Sequence, residues 1–218
     1  MIMHSFDLYS FLFSLNLLKD SPSWWWPNHG DFEVVVAAIL TQNTRWENVQ
    51  KSLQNLYKQK LLIYQDNERN LQTIANCDPY ILSSLIASSG FANQKASRLV
   101  ILAQNILEDF MSYEHFVQEV DGEWLIAQKG IGKESRDCIL NYACLREVMV
   151  VDRYTYKLLY SYGFEMQDYD EIQDWITRGI SQHLDKIQTF YTFDISLAQI
   201  YARLHGKIVE FGKKGFKI

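Results

Sequence analysis

Leu125-Ile126-Ala127-Gln128-Lys129-Gly130-Ile131-Gly132-Lys133-Glu134-Ser135-Arg136-Asp137-Cys138-Ile139-Leu140 is the stretch from which the fold is read. Two glycines flank one aliphatic residue, between two segments of helical periodicity. Glycines allow a hairpin too tight for Cβ atoms and let the backbone approach another surface closely. Ile131 is expected to plug the gap between the helices. The N–H groups that open the second helix then point outward, where unpaired donors and the helix dipole favour phosphate. Lys129 and Lys133 flank that spot. A hairpin of this kind grips a nucleic-acid backbone without reading its sequence. Gly-x-Gly alone is common, and an ordinary corner between two helices accounts for it as well.

Outward from the hairpin, Val148-Met149-Val150-Val151 ends in Asp152, twenty residues beyond Gly132. A carboxylate behind an apolar run stands at the edge of a core, where it can be held dry and ionised. It can equally be the N-cap of a helix opening at Arg153, and a capped carboxylate is also a pre-oriented one. Elsewhere apolar residues recur at i, i+3, i+4 and i+7. Leu53, Leu56, Tyr57 and Lys60-Leu61 form one such stripe; Leu99, Leu102, Ala103, Ile106, Leu107 and Phe110 form another. Asp78-Pro79 reads as an N-cap followed by proline at the first helical position, and Asp31, Thr44 and Asn93 each precede a periodic stretch. The pattern gives about ten helices and no sheet: the class is all-α.

The 218 residues are 48% hydrophobic and 22% charged, ordinary globular usage that excludes wholesale disorder. Val34–Leu40, the longest apolar run, is too short to cross a bilayer, so no membrane partner is expected. Three cysteines, Cys77, Cys138 and Cys144, never spaced C-x-x-C, argue against a disulfide framework or a zinc site, and a reducing cytoplasm is the expected compartment. The histidines show no ligand spacing and no G-x-S-x-G occurs, so no metal ligand is assigned. Net charge is −5, yet Arg203, Lys207, Lys213, Lys214 and Lys217 face only Glu210 in the last sixteen residues. That segment is either a phosphate-contacting surface or a solvated tail.

The hairpin, with Val-Val-Asp at its interval, resembles the helix-hairpin-helix DNA glycosylases, the superfamily that includes endonuclease III. Lys129 stands where that family's hairpin usually has proline. Phe32-Glu33-Val34 through Leu40-Thr41-Gln42-Asn43-Thr44 is similar to its early helix and glutamine-bearing loop. Ser89-Gly90-Phe91 through Asn93-Gln94-Lys95-Ala96 resembles its G-x-x-N-x-K-A segment, and Leu204-His205-Gly206-Lys207 its L-H-G-R. The resemblance runs from about residue 31 to 210. It implies two helical lobes with the active-site cleft between them: 31–150 carrying the hairpin (about 124–145), and 1–30 together with 151–218. It implies Asp152 as the catalytic residue, and double-stranded DNA contacted by Gln42, Asn43, Lys129, Gly130, Gly132, Lys133 and Arg153. Gln42 and Asn43 would enter the gap left by a flipped nucleotide. A monomer is expected, and the resemblance leaves open a monovalent cation at the hairpin.

Two departures sharpen the expectation. Family members that also cut the strand carry a Schiff-base lysine two residues after the second hairpin glycine. Glu134 is there instead, and a carboxylate cannot form an imine, so base removal without strand scission is expected. Relatives with an iron–sulfur cluster begin a four-cysteine pattern at the position of Glu210. No cysteine follows Cys144, so no cluster, and no cofactor, is expected. Acids pinning Lys207 and Lys213-Lys214, or a modified lysine such as Lys207, are the alternatives for its structural role.

The aromatic residues bear on the substrate. Trp24-Trp25-Trp26-Pro27 is an unusual run, and Trp46 follows the Gln42 loop. A flipped base needs rings on both faces, and rings favour a cationic, alkylated base. Trp25 against Trp46, walled by Pro27, is the expected pocket; core packing is the competing fate for any one of these rings. Lys213, from the C-terminal segment, is grouped with the base-binding residues as reaching the pocket; because a free ammonium repels a cationic base, it is expected there to touch phosphate or an acid. The resemblance to bacterial 3-methyladenine glycosylases that lack the cluster implies excision of alkylated purines. Removal of uracil or a mismatched base, or a non-enzymatic DNA-holding module, are the alternatives.

Overall fold

The computed structural model describes residues 4–217. In chain order its helices are α1 (Ser5–Ser14), α2 (Phe32–Leu40), α3 (Trp46–Lys58), α4 (Asn67–Ala75), α5 (Pro79–Leu85), α6 (Ala92–Phe110), α7 (Tyr113–Glu119), α8 (Gly122–Ala127), α9 (Lys133–Cys138), α10 (Arg153–Ser161), α11 (Tyr169–Ser181), α12 (Leu184–Gln188) and α13 (Leu197–Lys213). A 3-10 turn spans Ala87–Ser89, and a π-helical turn at Ile139–Ala143 continues α9. The described residues contain no strand. No helix among them is long and apolar enough to cross a membrane.

The chain divides into two compact units: Asn28–Cys144, and the segments on either side of it. In the first unit α2 is buried at every position, a helix apolar all round and therefore central. The stripe read on α6 is the face it buries: Leu99, Leu102, Ala103, Ile106 and Phe110. In the second unit α1, α10, α11 and α13 share a core in which Leu8, Leu12, Leu158, Ile172, Ile176, Leu204, Ile208 and Phe211 meet.

The thirteen α-helices among the described residues exceed the roughly ten read from periodicity because α8, α9 and α12 are five or six residues long, too short to display a repeat. Asp78 caps α5 through the Tyr80 N–H, with Pro79 at the first position as read. Asp31 stands at the N-cap of α2, but its carboxylate accepts from Asn67 rather than from the helix. Arg45 rather than Thr44 is the N-cap of α3, because the Thr44 hydroxyl bonds Ser89 and the Lys95 ammonium. At α6 the N-cap is Phe91, in the left-handed region, and Asn93 lies inside the helix. The stripe extended to Leu61 overshoots: α3 ends at Lys58 and Lys60 is left-handed at φ 58°.

Candidate functional site

Asp152 is the N-cap of α10 and is 8% exposed. Its Oδ1 accepts from the Thr155 N–H at 2.8 Å and the Thr155 hydroxyl at 2.9 Å, while its own N–H faces that hydroxyl at 3.4 Å. This reciprocal cap fixes the carboxylate before any substrate arrives. Its Oδ2 lies 3.6 Å from Nε2 of His205, beyond hydrogen-bond length. Burial pushes the carboxyl pKa up, but the polar contact and charge of His205, together with the Thr155 donors, outweigh it and hold the acid below the usual carboxylate range. The cap and the poised acid are the same residue.

α13 supplies the surface beside it. His205 meets Trp25 edge to face, centroids 5.3 Å apart and planes at 82°. Gly206 follows because the indole covers it: a Cβ there would come within 2.4 Å of Trp25 Cγ. Trp25 itself is left-handed at φ 66°, a conformation that costs a bulky residue energy and marks a site held by its surroundings. The hold is visible. Arg203 Nη1 donates to the carbonyls of Pro22 (3.2 Å) and Ser23 (3.0 Å), and Gln199 Nε2 to Ser23 (3.1 Å). Trp25 Nε1 donates to Glu210 at 3.4 Å, and Lys213 pairs with the same carboxylate oxygen at 2.8 Å. Lys213 is thus paired with an acid. Trp26 is buried, whereas Trp24, Trp25 and Pro27 are half-buried. Arg153, at the first position of α10, is exposed.

Lys207, in the same basic segment, is 3% exposed. Its ammonium lies 5.4 to 5.7 Å from the ring centres of Tyr9, Phe13 and Tyr191 and donates to the Tyr191 hydroxyl at 3.2 Å. Burial, with Arg203 adding repulsion, pulls its pKa down to about 7.

The hairpin belongs to the other unit. Gly130 has φ 84°, and a Cβ there would meet the Arg98 guanidinium at 2.3 Å, so glycine is required twice over. Ile131 is 7% exposed and fills the corner, while Lys129 and Gly132 are exposed and Lys133 half-buried. Gln42 Nε2 donates to the Gly130 carbonyl at 2.9 Å and to Ser135 Oγ at 3.0 Å, and its Oε1 accepts from Arg98 at 3.1 Å. The Gln42 amide thus ties the loop to the hairpin. Asn43, left-handed at φ 52° and exposed, is the side chain at the loop tip. Trp46 opens α3 three residues later, half-buried. Beneath the loop the Lys95 ammonium donates to Leu40 O (2.8 Å), Thr44 Oγ1 (2.9 Å) and Ser89 O (2.7 Å).

A capped acid with an aromatic platform, and a glycine hairpin with basic flanks, are the parts of a base-removing DNA enzyme. Residues 36–206 match the HhH-GPD superfamily of base excision DNA repair proteins. The chain belongs to that superfamily. It is a DNA glycosylase, and DNA is its partner. It is 36% identical over 198 residues to a Methanocaldococcus jannaschii protein provisionally named as a DNA repair glycosylase, covering 87% of this chain and 80% of that one. It is similar to the crystal structure of Helicobacter pylori 3-methyladenine DNA glycosylase bound to 1,N6-ethenoadenine, with 51% identity and a TM-score of 0.97 over 99% of this chain and 100% of that one. A trapped endonuclease III–DNA complex shares the fold at 14% identity, with a TM-score of 0.70 over 100% of this chain and 90% of that one.

Sequence reasoning missed His205, Arg98 and Lys95 as parts of these arrangements. His205 carried a signal: a histidine flanked by Tyr201, Leu204 and Ile208 on the buried face of α13 needs a polar partner. Lys95 stood in the G-x-x-N-x-K-A segment, but its grip on Leu40 and Thr44, like that of Arg98 on Gln42, joins residues 51 to 56 positions apart and left no local signal.

Proposed function

We propose that this glycosylase is monofunctional and removes alkylated purines, chiefly 3-methyladenine, leaving an abasic site. The observation that carries this reading is Asp152, held ionised by the α10 cap beside His205, on which the Trp25 indole rests. A purine methylated at N3 or N7 already bears positive charge, so its glycosidic bond is weakened and no strong general acid is required. Departure leaves an oxocarbenium-like sugar, which the Asp152 carboxylate stabilises and toward which it steers water. Half-buried indoles favour a cationic base over a neutral one. Trp25 with Pro27, and Trp46, are the residues assigned to that base. The Helicobacter protein's name supports the substrate class. Glu134, exposed and lacking an amine, supports the absence of strand scission.

Asn43 is the side chain proposed to enter the duplex, with Gln42 bracing it. Lys129, Lys133 and the Gly130–Gly132 backbone hold phosphates in one unit and Arg153 in the other. The protein is proposed to work as a monomer without a cofactor.

The test is the identity of the bases freed from methylated duplex DNA, with strand scission scored alongside. Free 3-methyladenine with intact abasic strands supports the reading; borohydride-trapped adducts or release of uracil alone overturn it. Asp152→Asn lowers excision on the order of 10³-fold while duplex binding survives. Excision at the unaltered rate removes Asp152 from the chemistry.

A further inference from the structure

Beyond helping to keep Asp152 ionised, His205 touches both halves of the proposed chemistry. On one side Nε2 faces Asp152 Oδ2 at 3.6 Å; on the other the imidazole and the Trp25 indole meet edge to face, with ring centroids 5.3 Å apart. The residue is 4% exposed. Oδ1 of Asp152 is already committed to Thr155, so what remains to be fixed is where Oδ2 points. The group facing Oδ2 decides that. Trp25 is likewise pinned from α13, by the bare backbone of Gly206 under its ring and by Glu210 on its Nε1.

We propose that His205 is a positioning residue that sets the reactive oxygen of Asp152 in register with the Trp25 platform. The inference rests on the roles proposed above for Asp152 and Trp25. A compact ring can do this because it offers a nitrogen to the carboxylate and a T-shaped contact to the indole within one rigid side chain. At 3.6 Å the imidazole Nε2 is the polar atom that faces Oδ2, and a carboxylate oxygen that accepts from it keeps a second lone pair for the sugar or for water. Catalytic contacts are often long before substrate binds and shorten in the complex. Misplacing a reacting group by about 1 Å costs up to about 10²-fold in rate.

The test is a double-mutant cycle on the full-length protein, using single-turnover excision from a methylated duplex oligonucleotide. His205→Phe keeps an aromatic edge for Trp25 and removes the partner of Oδ2. It is expected to lower the excision rate roughly tenfold to a hundredfold, with the duplex dissociation constant unchanged within about twofold. His205→Gln, which restores an N–H donor, is expected to recover most of the loss. In an Asp152→Asn background, followed over longer times, His205→Phe is expected to cost less than about twofold more. A merely packing role would cost the same factor in both backgrounds and would not be rescued by glutamine; either result overturns the proposal, as does an unaltered His205→Phe. Should His205→Phe fail to fold, His205→Asn, whose amide stops short of Oδ2, takes its place in the cycle with the same expected loss. If Asp152→Asn itself excises normally, the reading of the site falls and the inference with it. If Asp152→Asn is defective and His205→Phe is not, only the inference falls.

Discussion

Each unit withdraws one lysine from water, and the two are solvated in opposite ways. Lys95 replaces its water shell with three oxygens, two of them carbonyls at the ends of α2 and of the 87–89 turn. Lys207 has the faces of three aromatic rings and a single phenol, and among the described residues no carboxylate pairs with it. Burial lowers both pKa values, Lys95 to about 8 and Lys207 to about 7. In the first case the ammonium is a bracket that holds the Gln42–Thr44 loop; in the second it is a charge kept in a poor solvent. Burial alone does not tell what a lysine contributes. The partners do.

The sharpest way to break this comparison is to remove both amines. Lys95→Met strands two carbonyls and a hydroxyl and is expected to cost about 3 kcal/mol in a urea titration. Lys207→Met puts a polarizable thioether among rings and is expected to fall within about 1 kcal/mol of the parent, on either side, at pH 7. Equal losses would erase the distinction. Next comes pH. For each lysine the unfolded chain binds more protons than the folded one between the folded and the ordinary pKa, so stability rises with pH there, by at most about 1.4 kcal/mol per unit for each group. The rise is expected to begin near pH 7 in the parent and to start later, near pH 8, in Lys207→Met. A parent whose stability is flat from about pH 7 to about pH 9 contradicts both shifts.

Smaller effects separate the units further. Gly130→Ala forces a left-handed alanine against Arg98 and is expected to cost about 2 kcal/mol and to weaken binding to undamaged duplex. Gln42→Ala is expected to cost under about 1 kcal/mol and to weaken duplex binding a few-fold, leaving the single-turnover rate at saturating enzyme unchanged. Gly206→Ala, in the other unit, displaces Trp25 and is expected to do the reverse: slower excision, unaltered duplex affinity. A rate effect from Gln42 or an affinity effect from Gly206 would mean that grip and chemistry are not divided in this way. The depressed Asp152 pKa adds one pH test. That carboxylate stays ionised as pH falls through the ordinary acid range, so excision is expected to hold its rate down to about pH 5. A loss near pH 6 would assign the limb to another group.

What the sequence disclosed follows from range. The helical class, the Gly130–Gly132 corner and the plug at Ile131 rest on neighbours within a few positions, and the amino-acid order displays them directly. Asp152 was readable for the same reason, since its cap partner is Thr155. The Lys95 bracket, the Gln42 bridge to Gly130 and the pairing of His205 with Asp152 join residues 51 to 88 positions apart and exist only once helices have packed. Trp25 shows the same limit. The run of three tryptophans left pocket and core packing open for each ring, and only the indole lying over Gly206 says which one α13 holds in place.

The Gln42 bridge has one more consequence. With its amide gripping the Gly130 carbonyl and its oxygen held by Arg98, the exposed Asn43 and the glycine corner form a caliper of set span. The distance between that exposed side chain and that corner is thereby fixed within one unit, whatever the loop would do on its own.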